Sequence, residues 1–378
     1  MLWKCIDKLL MFMVISNLYV FGASNEFRQT KTTEQTINTF LSALNSMASN
    51  TSEVHNHRYS TGQDIAFAVM YSFIVIIGVP ANSIIITIVR KTPSMHTTTN
   101  YLLMNLAVAD LVTLIICPGM YDFALKKVRL DETLGDLICK FFVGNAIVPI
   151  TINAATLTVS ALAVERYLAL VKPFYTRLRL TKKRVPLAVA FIWTLAILSC
   201  IPDLITNTTE PNHHSTYPCK RPWSLDEYFH HKGFIIFTGV VFGVVPCIII
   251  FFCYFAIFRG LFITETICTS PVGPERSSNA ALEDQRSKKQ LFKLLLWLMI
   301  LFCVCTLPFH IFFIYLTALK ISTVVNNRDN LFLVHRMVRF LLTANSFFNP
   351  LVYAFQSSNY REGFKIIFYC KTMTEGNK

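Results

Sequence analysis

The chain alternates between long apolar runs and short polar breaks that are mostly basic. From residue 64 on, seven runs follow one another, at 64–89, 100–125, 137–165, 185–206, 233–258, 293–319 and 331–355. Each holds roughly 20 or more mostly apolar residues, enough for a helix to cross about 30 Å of hydrocarbon. The pattern predicts an all-α membrane protein, a bundle of seven transmembrane helices. Pro80, Pro246 and Pro308 fall in mid-run, Pro149 lies inside the third run and Pro350 inside the seventh. Prolines at such places break soluble helices, but bundles in lipid tolerate them because neighbours satisfy the freed carbonyls. The last run is the least apolar, since Arg336 and Arg339 sit in it. No internal repeat is visible, which argues against transporters built from repeated halves.

The ends read differently. Residues 1–24 carry Lys4 and Lys8, then an apolar stretch and small residues at Gly22 to Ser24. That is the pattern of a cleavable signal peptide, with a retained anchoring segment as the alternative. Residues 25–62 are rich in Ser, Thr and Asn and read as a disordered extracellular tail. Asn50 and Asn207 are N-x-S/T glycosylation acceptors. The transmembrane domain is expected over 63–356, followed at 357–378 by an amphipathic helix and a short tail.

Only 15% of residues are charged, against about 25% in soluble domains. The net charge of +13 is informative through its placement. The breaks at 90–91, 166–184, 259–293 and 356–378 hold 19 Lys or Arg, and the opposing breaks at 126–140, 220–232 and 320–339 hold 11. The excess places the first set in the cytoplasm, with the N-terminus outside, the C-terminus inside and the chain in the plasma membrane. The positive charge is then a topology signal and an affinity for anionic lipid, not a nucleic-acid interface. Of eleven cysteines, only Cys139 and Cys219 fall on the oxidising side after the leader. They are expected to pair, tying the second outer loop to the third helix, with two free thiols as the alternative.

Polar residues inside the runs are costly and point to function. Asp110 is the only acid deep in the second run. Asn82 in the first run and Asn345, Ser346 and Asn349 in the seventh are its expected partners. That set could hold a small hard cation such as Na⁺, keep the carboxyl protonated, or serve as a hydrogen-bonded knot between helices. At the end of the third run, Glu165 and Arg166 stand together after an uncharged stretch from Phe141 to Val164.

In order along the chain stand Asn82, "NLAVAD" with Asp110, Cys139, Glu165-Arg166-Tyr167 followed by Pro173, and Trp193. Pro246 with Tyr254, "CTLPFH" with Pro308, and Asn349-Pro350-Leu351-Val352-Tyr353 follow. With these markers, residues 62–370 resemble a rhodopsin-family G-protein-coupled receptor. The resemblance implies that Arg166 is held by Glu165 at rest and released toward a G protein when the helices part. Tyr254 and Tyr353 then swing in to support it. Receptor kinase and arrestin follow as further partners. A simple snorkelling anchor explains an arginine but not the companion tyrosines.

The chain also departs from that family. Thr306 stands where a tryptophan usually precedes Leu-Pro, so Phe302 or Phe309 must transmit ligand binding. Lys288 and Lys289 open the sixth run where some members place an acid, so the resting lock between the third and sixth helices is expected to be absent. Cys139 and Arg166 are 27 positions apart, two more than usual, which with Pro149 predicts a bulge or kink in the third helix. Ala155 replaces a serine that often completes the sodium site.

No acid lies between Lys140 and Glu165, which excludes the amine anchor of amine receptors, and no lysine lies between Met337 and Phe355 for a retinal Schiff base. Tyr121, Phe309, His310, Phe313, Arg336 and Arg339 are the candidate ligand-binding residues. Two guanidiniums three residues apart suit an acidic group or a peptide's polar end, with snorkelling to headgroups as the alternative. "AVERYLALVKPF" and "LPFH" resemble neuropeptide receptors of the galanin, orexin and neuromedin kind. A receptor for a non-peptide acidic or lipid ligand is the nearest alternative, and a transporter or channel the alternative from another class. After Tyr353, "NYREGFKIIFYCK" reads as an interfacial helix with Cys370 as a palmitoylation candidate. No Gly-rich phosphate loop, metal-ligand spacing or nucleophile elbow is found, so no enzymatic activity is expected.

Overall fold

The structure is a computed structural model that describes residues 61–117, 147–201, 232–263, 278–358 and 360–365. The leader and tail, Asn50, Tyr121, Cys139, Asn207, Cys219 and Cys370 lie outside the described residues. The chain divides into two compact units, Met1–Asp64 and Ile65–Lys378, and the packing below concerns the second.

Among the described residues all regular structure is helical. Helix α1 spans Thr61–Lys91, and a short 3₁₀ turn, Pro93–Met95, leads into α2, Thr98–Ile115. Next come α3, Ile147–Leu170, and α4, Val185–Ser199. Helix α5 spans Gly233–Ile263, α6 Ser278–Ala318 and α7 Arg328–Gln356, with a short helix, Ile321–Asn326, before α7. Residues 360–365 are again helical. Helices α1, α2, α3, α5 and the Lys288–Ala318 part of α6 are long and apolar enough to cross a membrane, while α4 is apolar but shorter.

The helix ends differ from the apolar runs for identifiable reasons. Helix α2 stops at Ile115, well short of 125, because Cys117 precedes Pro118 and a residue before proline is pushed out of the α region. Helix α4 ends at Ser199, not 206, with Pro202 close behind. Helix α6 begins 15 residues before its apolar run, at Ser278. The segment from Ser278 to Phe292 is Ala-, Glu-, Gln- and Lys-rich and lacks Gly and Pro, so it propagates a helix that hydropathy alone does not mark.

The bulge expected in the third helix is not seen among the described residues, where α3 is regular from Ile147 through Leu170. The irregularity lies in α5 instead. A π-helical turn at Val240–Val244 precedes Pro246, with the Val245 N–H bonded to the Val240 carbonyl, and a second π turn occupies Arg259–Ile263. Pro246 therefore starts a regular segment and does not kink one. Lacking an N–H, it leaves a carbonyl in the preceding turn without its usual partner, and the wider turn absorbs this.

The most extensive contacts are those of α6 with α7, α2 with α3, and α3 with α5; α3 also packs on α4. In lipid the helices are held by close packing and shared polar groups, not by escape from water. Gly78 shows the first device: a Cβ there would stand 2.6 Å from Leu114 Cδ1, so its absence lets α1 close on α2. Asn105 shows the second. Its Nδ2 donates to Thr158 Oγ1 at 2.8 Å and its Oδ1 accepts from Trp193 Nε1 at 3.0 Å, so one buried amide ties α2, α3 and α4. Asn105→Leu removes both bonds, each worth about 0.6–1.7 kcal/mol inside a membrane. A thiol-reactive dye that reports exposure of the buried Cys117, Cys253 and Cys305 should show a melting midpoint lower by several degrees. An unchanged melt would remove the amide from the packing account.

Candidate functional site

Three polar or aromatic groups lie along the bundle. The first is at the end of α3. Arg166 makes a forked ion pair with its neighbour, Nε to Glu165 Oε2 at 2.5 Å and Nη2 to Glu165 Oε1 at 2.9 Å. Both side chains are largely covered, with 14% and 9% exposure, so the pair is shielded from solvent screening. Arg166 Nη2 also donates to the hydroxyl of Thr99, in the first turn of α2, and Thr99 Oγ1 donates to Glu165 Oε2 at 3.5 Å.

The aromatic residues expected to act with Arg166 are packed against rings of neighbouring helices. Tyr254 is buried on α5 with its ring 6.1 Å from Phe292 of α6, and Tyr167 faces Phe252 at 5.8 Å. Tyr353 is fully buried and stacks on Tyr360 at 5.2 Å, while its hydroxyl has no hydrogen-bond partner among the described residues. Burial pushes the Tyr360 phenol above its ordinary range, so it stays protonated and donates to Asn100 Oδ1 at 3.4 Å. Phe302 and Thr306 are both buried on α6, where Pro308 is held inside the helix.

The second group is the polar core. Asn349 Nδ2 donates to Asp110 Oδ2 at 2.8 Å, and the Ser346 side chain also faces this carboxylate. Asn82 does not bond Asp110 directly. Its Nδ2 bridges the Gly78 and Ser346 carbonyls at 3.0 and 2.9 Å, which pins α1 to α7. Among the described residues, Asp110 Oδ1, Asn82 Oδ1 and Asn345 Oδ1 are buried acceptors without partners. Carboxylate and amide oxygens are the donor type that a small hard cation takes, and Ala155 adds no hydroxyl to them.

The third group lies at the opposite end of the bundle from Arg166. Phe309 and Phe313 of α6 touch at 4.6 Å. The His310 ring lies against the π turn of α5, where a Cβ on Gly243 would stand 2.8 Å from it, and His310 Nε2 is buried without a partner. Arg336 points toward α1, with its guanidinium 4.3 Å from the Phe67 ring centre, and so serves to hold α7 against α1. Sequence reasoning missed His335. It is buried among Phe312, Phe313 and Phe332, at 6.2, 5.9 and 6.1 Å. The helical spacing Phe332-His335-Arg339 was the available signal.

The three groups lie at different levels of one helical bundle. Residues 81–353 match the family model "7 transmembrane receptor (rhodopsin family)", and the chain belongs to that family of signalling receptors in the membrane. Among curated proteins it is 26% identical over 324 residues to the QRFP-like peptide receptor of Branchiostoma floridae, covering 82% of this chain and 80% of that one. It is 27% identical over 325 residues to the Substance-P receptor of Homo sapiens, covering 86% and 76%. With the Tachykinin-like peptides receptor 86C of Drosophila melanogaster it shares 25% over 322 residues, 82% of this chain but 59% of that receptor.

Proposed function

We propose that the chain is a plasma-membrane receptor that binds an extracellular peptide and activates a heterotrimeric G protein. The observation that carries this is the shielded Arg166–Glu165–Thr99 knot at the end of α3 in a chain of this family. The relatives' printed names, QRFP-like, tachykinin-like and Substance-P, support a peptide ligand. Seven spans follow from the apolar runs, and an outer N-terminus and a cytoplasmic Arg166 end from the basic-residue bias. A Cys139–Cys219 bridge, glycans on Asn50 and Asn207, a palmitoylated Cys370 and engagement of kinase and arrestin belong to the same reading.

In this reading the bundle has two arrangements, and an outer ligand favours the one in which Arg166 has left Glu165. Tyr254 and Tyr353 must then leave their packed positions, and with Thr306 at the usual tryptophan position the relay falls to Phe302 and Phe309 of α6. Asp110, Asn82 and Asn345, whose buried oxygens are left unsatisfied among the described residues, would hold Na⁺ in the resting bundle, with Asn349 bonded to the same carboxylate. Bound there, the ion would supply a positive charge to neutralise the buried carboxylate, while Asp110 and Asn349 tie α2 to α7.

The deciding experiment is a peptide-library screen on cells reporting cAMP and Ca²⁺. No peptide response with confirmed surface expression counts against a peptide ligand. The two arginines of α7 should then separate. Arg339→Ala is expected to weaken an acidic peptide by about tenfold or more, the loss of one charge-assisted hydrogen bond. Arg336→Ala should leave potency within about threefold and lower thermal stability, because it loses a cation–π contact of about 0.5–2 kcal/mol. Equal potency of Arg339→Ala and wild type would take Arg339 out of the pocket.

A further inference from the structure

We infer that the first turn of α2 is the resting catch of the switch, with Thr99 holding Arg166 and the next residue, Asn100, holding Tyr360 and through it Tyr353. Successive helical residues point about 100° apart, so this turn reaches α3 on one side and the segment after α7 on the other. Thr99 is buried, and its hydroxyl is used twice, as acceptor from Arg166 Nη2 and as donor to Glu165 Oε2 at 3.5 Å. A hydroxyl has one proton and two lone pairs, so both bonds form together.

Asn100 is equally constrained. Its backbone N–H is capped by Thr97 Oγ1 at 3.2 Å, and its Nδ2 donates to the Met95 carbonyl at 2.9 Å. That fixes the amide with Oδ1 toward the Tyr360 hydroxyl at 3.4 Å. Tyr360 lies flat on Tyr353, with 23° between the rings. Its segment is seated on α1 through Gly363, where a Cβ would come within 2.6 Å of Ile88. The apolar part of α6 opens with Lys288 and Lys289, which cannot serve Arg166 as an anionic partner. Among the described residues the restraints on Arg166 come from α3 itself and from α2, and both arms of the switch end on one capped turn. Opening requires the loss of hydroxyl and amide bonds at that turn, a step independent of any ion pair to α6.

The catch presupposes the G-protein reading above, and the test separates the two. Agonist-independent GTPγS exchange is measured in membranes with each Gα class co-expressed, at matched surface density. An encoded environment-sensitive fluorescent residue at position 289 reports α6 movement without any G protein. Thr99→Val keeps the shape but loses the hydroxyl, and both readouts should rise, exchange by about fivefold to tenfold. Thr99→Ser restores the hydroxyl and should bring the signal back down from the Thr99→Val level. Tyr360→Phe keeps the ring stack and loses only the bond to Asn100, so a rise of about twofold to threefold is expected.

The catch is overturned if Thr99→Val leaves both readouts unchanged, or if Thr99→Ser matches Thr99→Val. If Thr99→Val does not reach the surface, Tyr360→Phe decides: a rise supports the catch and wild-type behaviour overturns it. Fluorescence that moves without exchange on any Gα keeps the catch and sinks the G-protein reading.

Discussion

Arg166→Ala should abolish G-protein activation while leaving ligand binding in place. The guanidinium makes a forked pair with Glu165 and a third bond to Thr99, all at one end of the bundle. Removing it frees the resting state of these restraints, so a purely structural role predicts higher basal activity. A role in contacting the G protein predicts the opposite, since a desolvated, hydrogen-bonded charge at an interface is worth about 2–5 kcal/mol. That corresponds to a loss of at least about thirtyfold in nucleotide exchange. The measurement is GTPγS exchange beside radioligand binding, with a peptide found in the screen. Undiminished exchange would mean that the partner is engaged elsewhere.

Asp110→Asn is expected to show the second largest effect, on both the amplitude of signalling and its dependence on sodium. The bond from Asn349 Nδ2 to Asp110 Oδ2 ties α2 to α7 next to Pro350. An asparagine at 110 is neutral, and its amide group competes with that of Asn349 as a donor. Losing the charge-assisted bond costs about 1.5–3 kcal/mol, so agonist-stimulated signalling should fall by about tenfold or more. A cation held only by the resting bundle stabilises it by mass action. Agonist affinity in wild type should therefore be several-fold weaker in sodium chloride than in choline chloride, and Asp110→Asn should show no difference. A wild-type receptor indifferent to sodium would reduce the carboxylate to a hydrogen-bonding role.

The sequence revealed the apolar runs because lipid selects for hydropathy, which is a local property of the chain. It placed Asp110, Arg166, Tyr254, Asn349 and Tyr353 because family strings surround them. Helix limits were less visible, since Ser278–Phe292 continues α6 beyond the apolar run on intrinsic propensity alone. Contacts across the bundle left no local trace. Arg166 meets a threonine 67 positions away, and Trp193 meets an asparagine 88 positions away. Nothing in the neighbourhood of Thr99 distinguishes it from Thr97 or Thr98. A helical register sets Arg336 and Arg339 on one face with Arg339 the deeper, but it does not disclose that a ring from α1 lies under Arg336. His335 adjoins that pair, and the spacing within α7 discloses Phe332 beside it but not the rings of Phe312 and Phe313 from α6.

The π turn at Val240–Val244 bears on any transfer of ligand contacts from relatives. One extra residue in a helical turn rotates everything beyond it by about 100°. Positions on the N-terminal third of α5 counted back from Pro246 in a uniform α register thus land on the wrong azimuth. Where a relative's fifth helix lacks that insertion, the equivalent of its pocket-lining side chain is the neighbour of the residue that simple alignment selects. A mutational scan of Phe234 to Thr238 should therefore test consecutive positions, not every third or fourth.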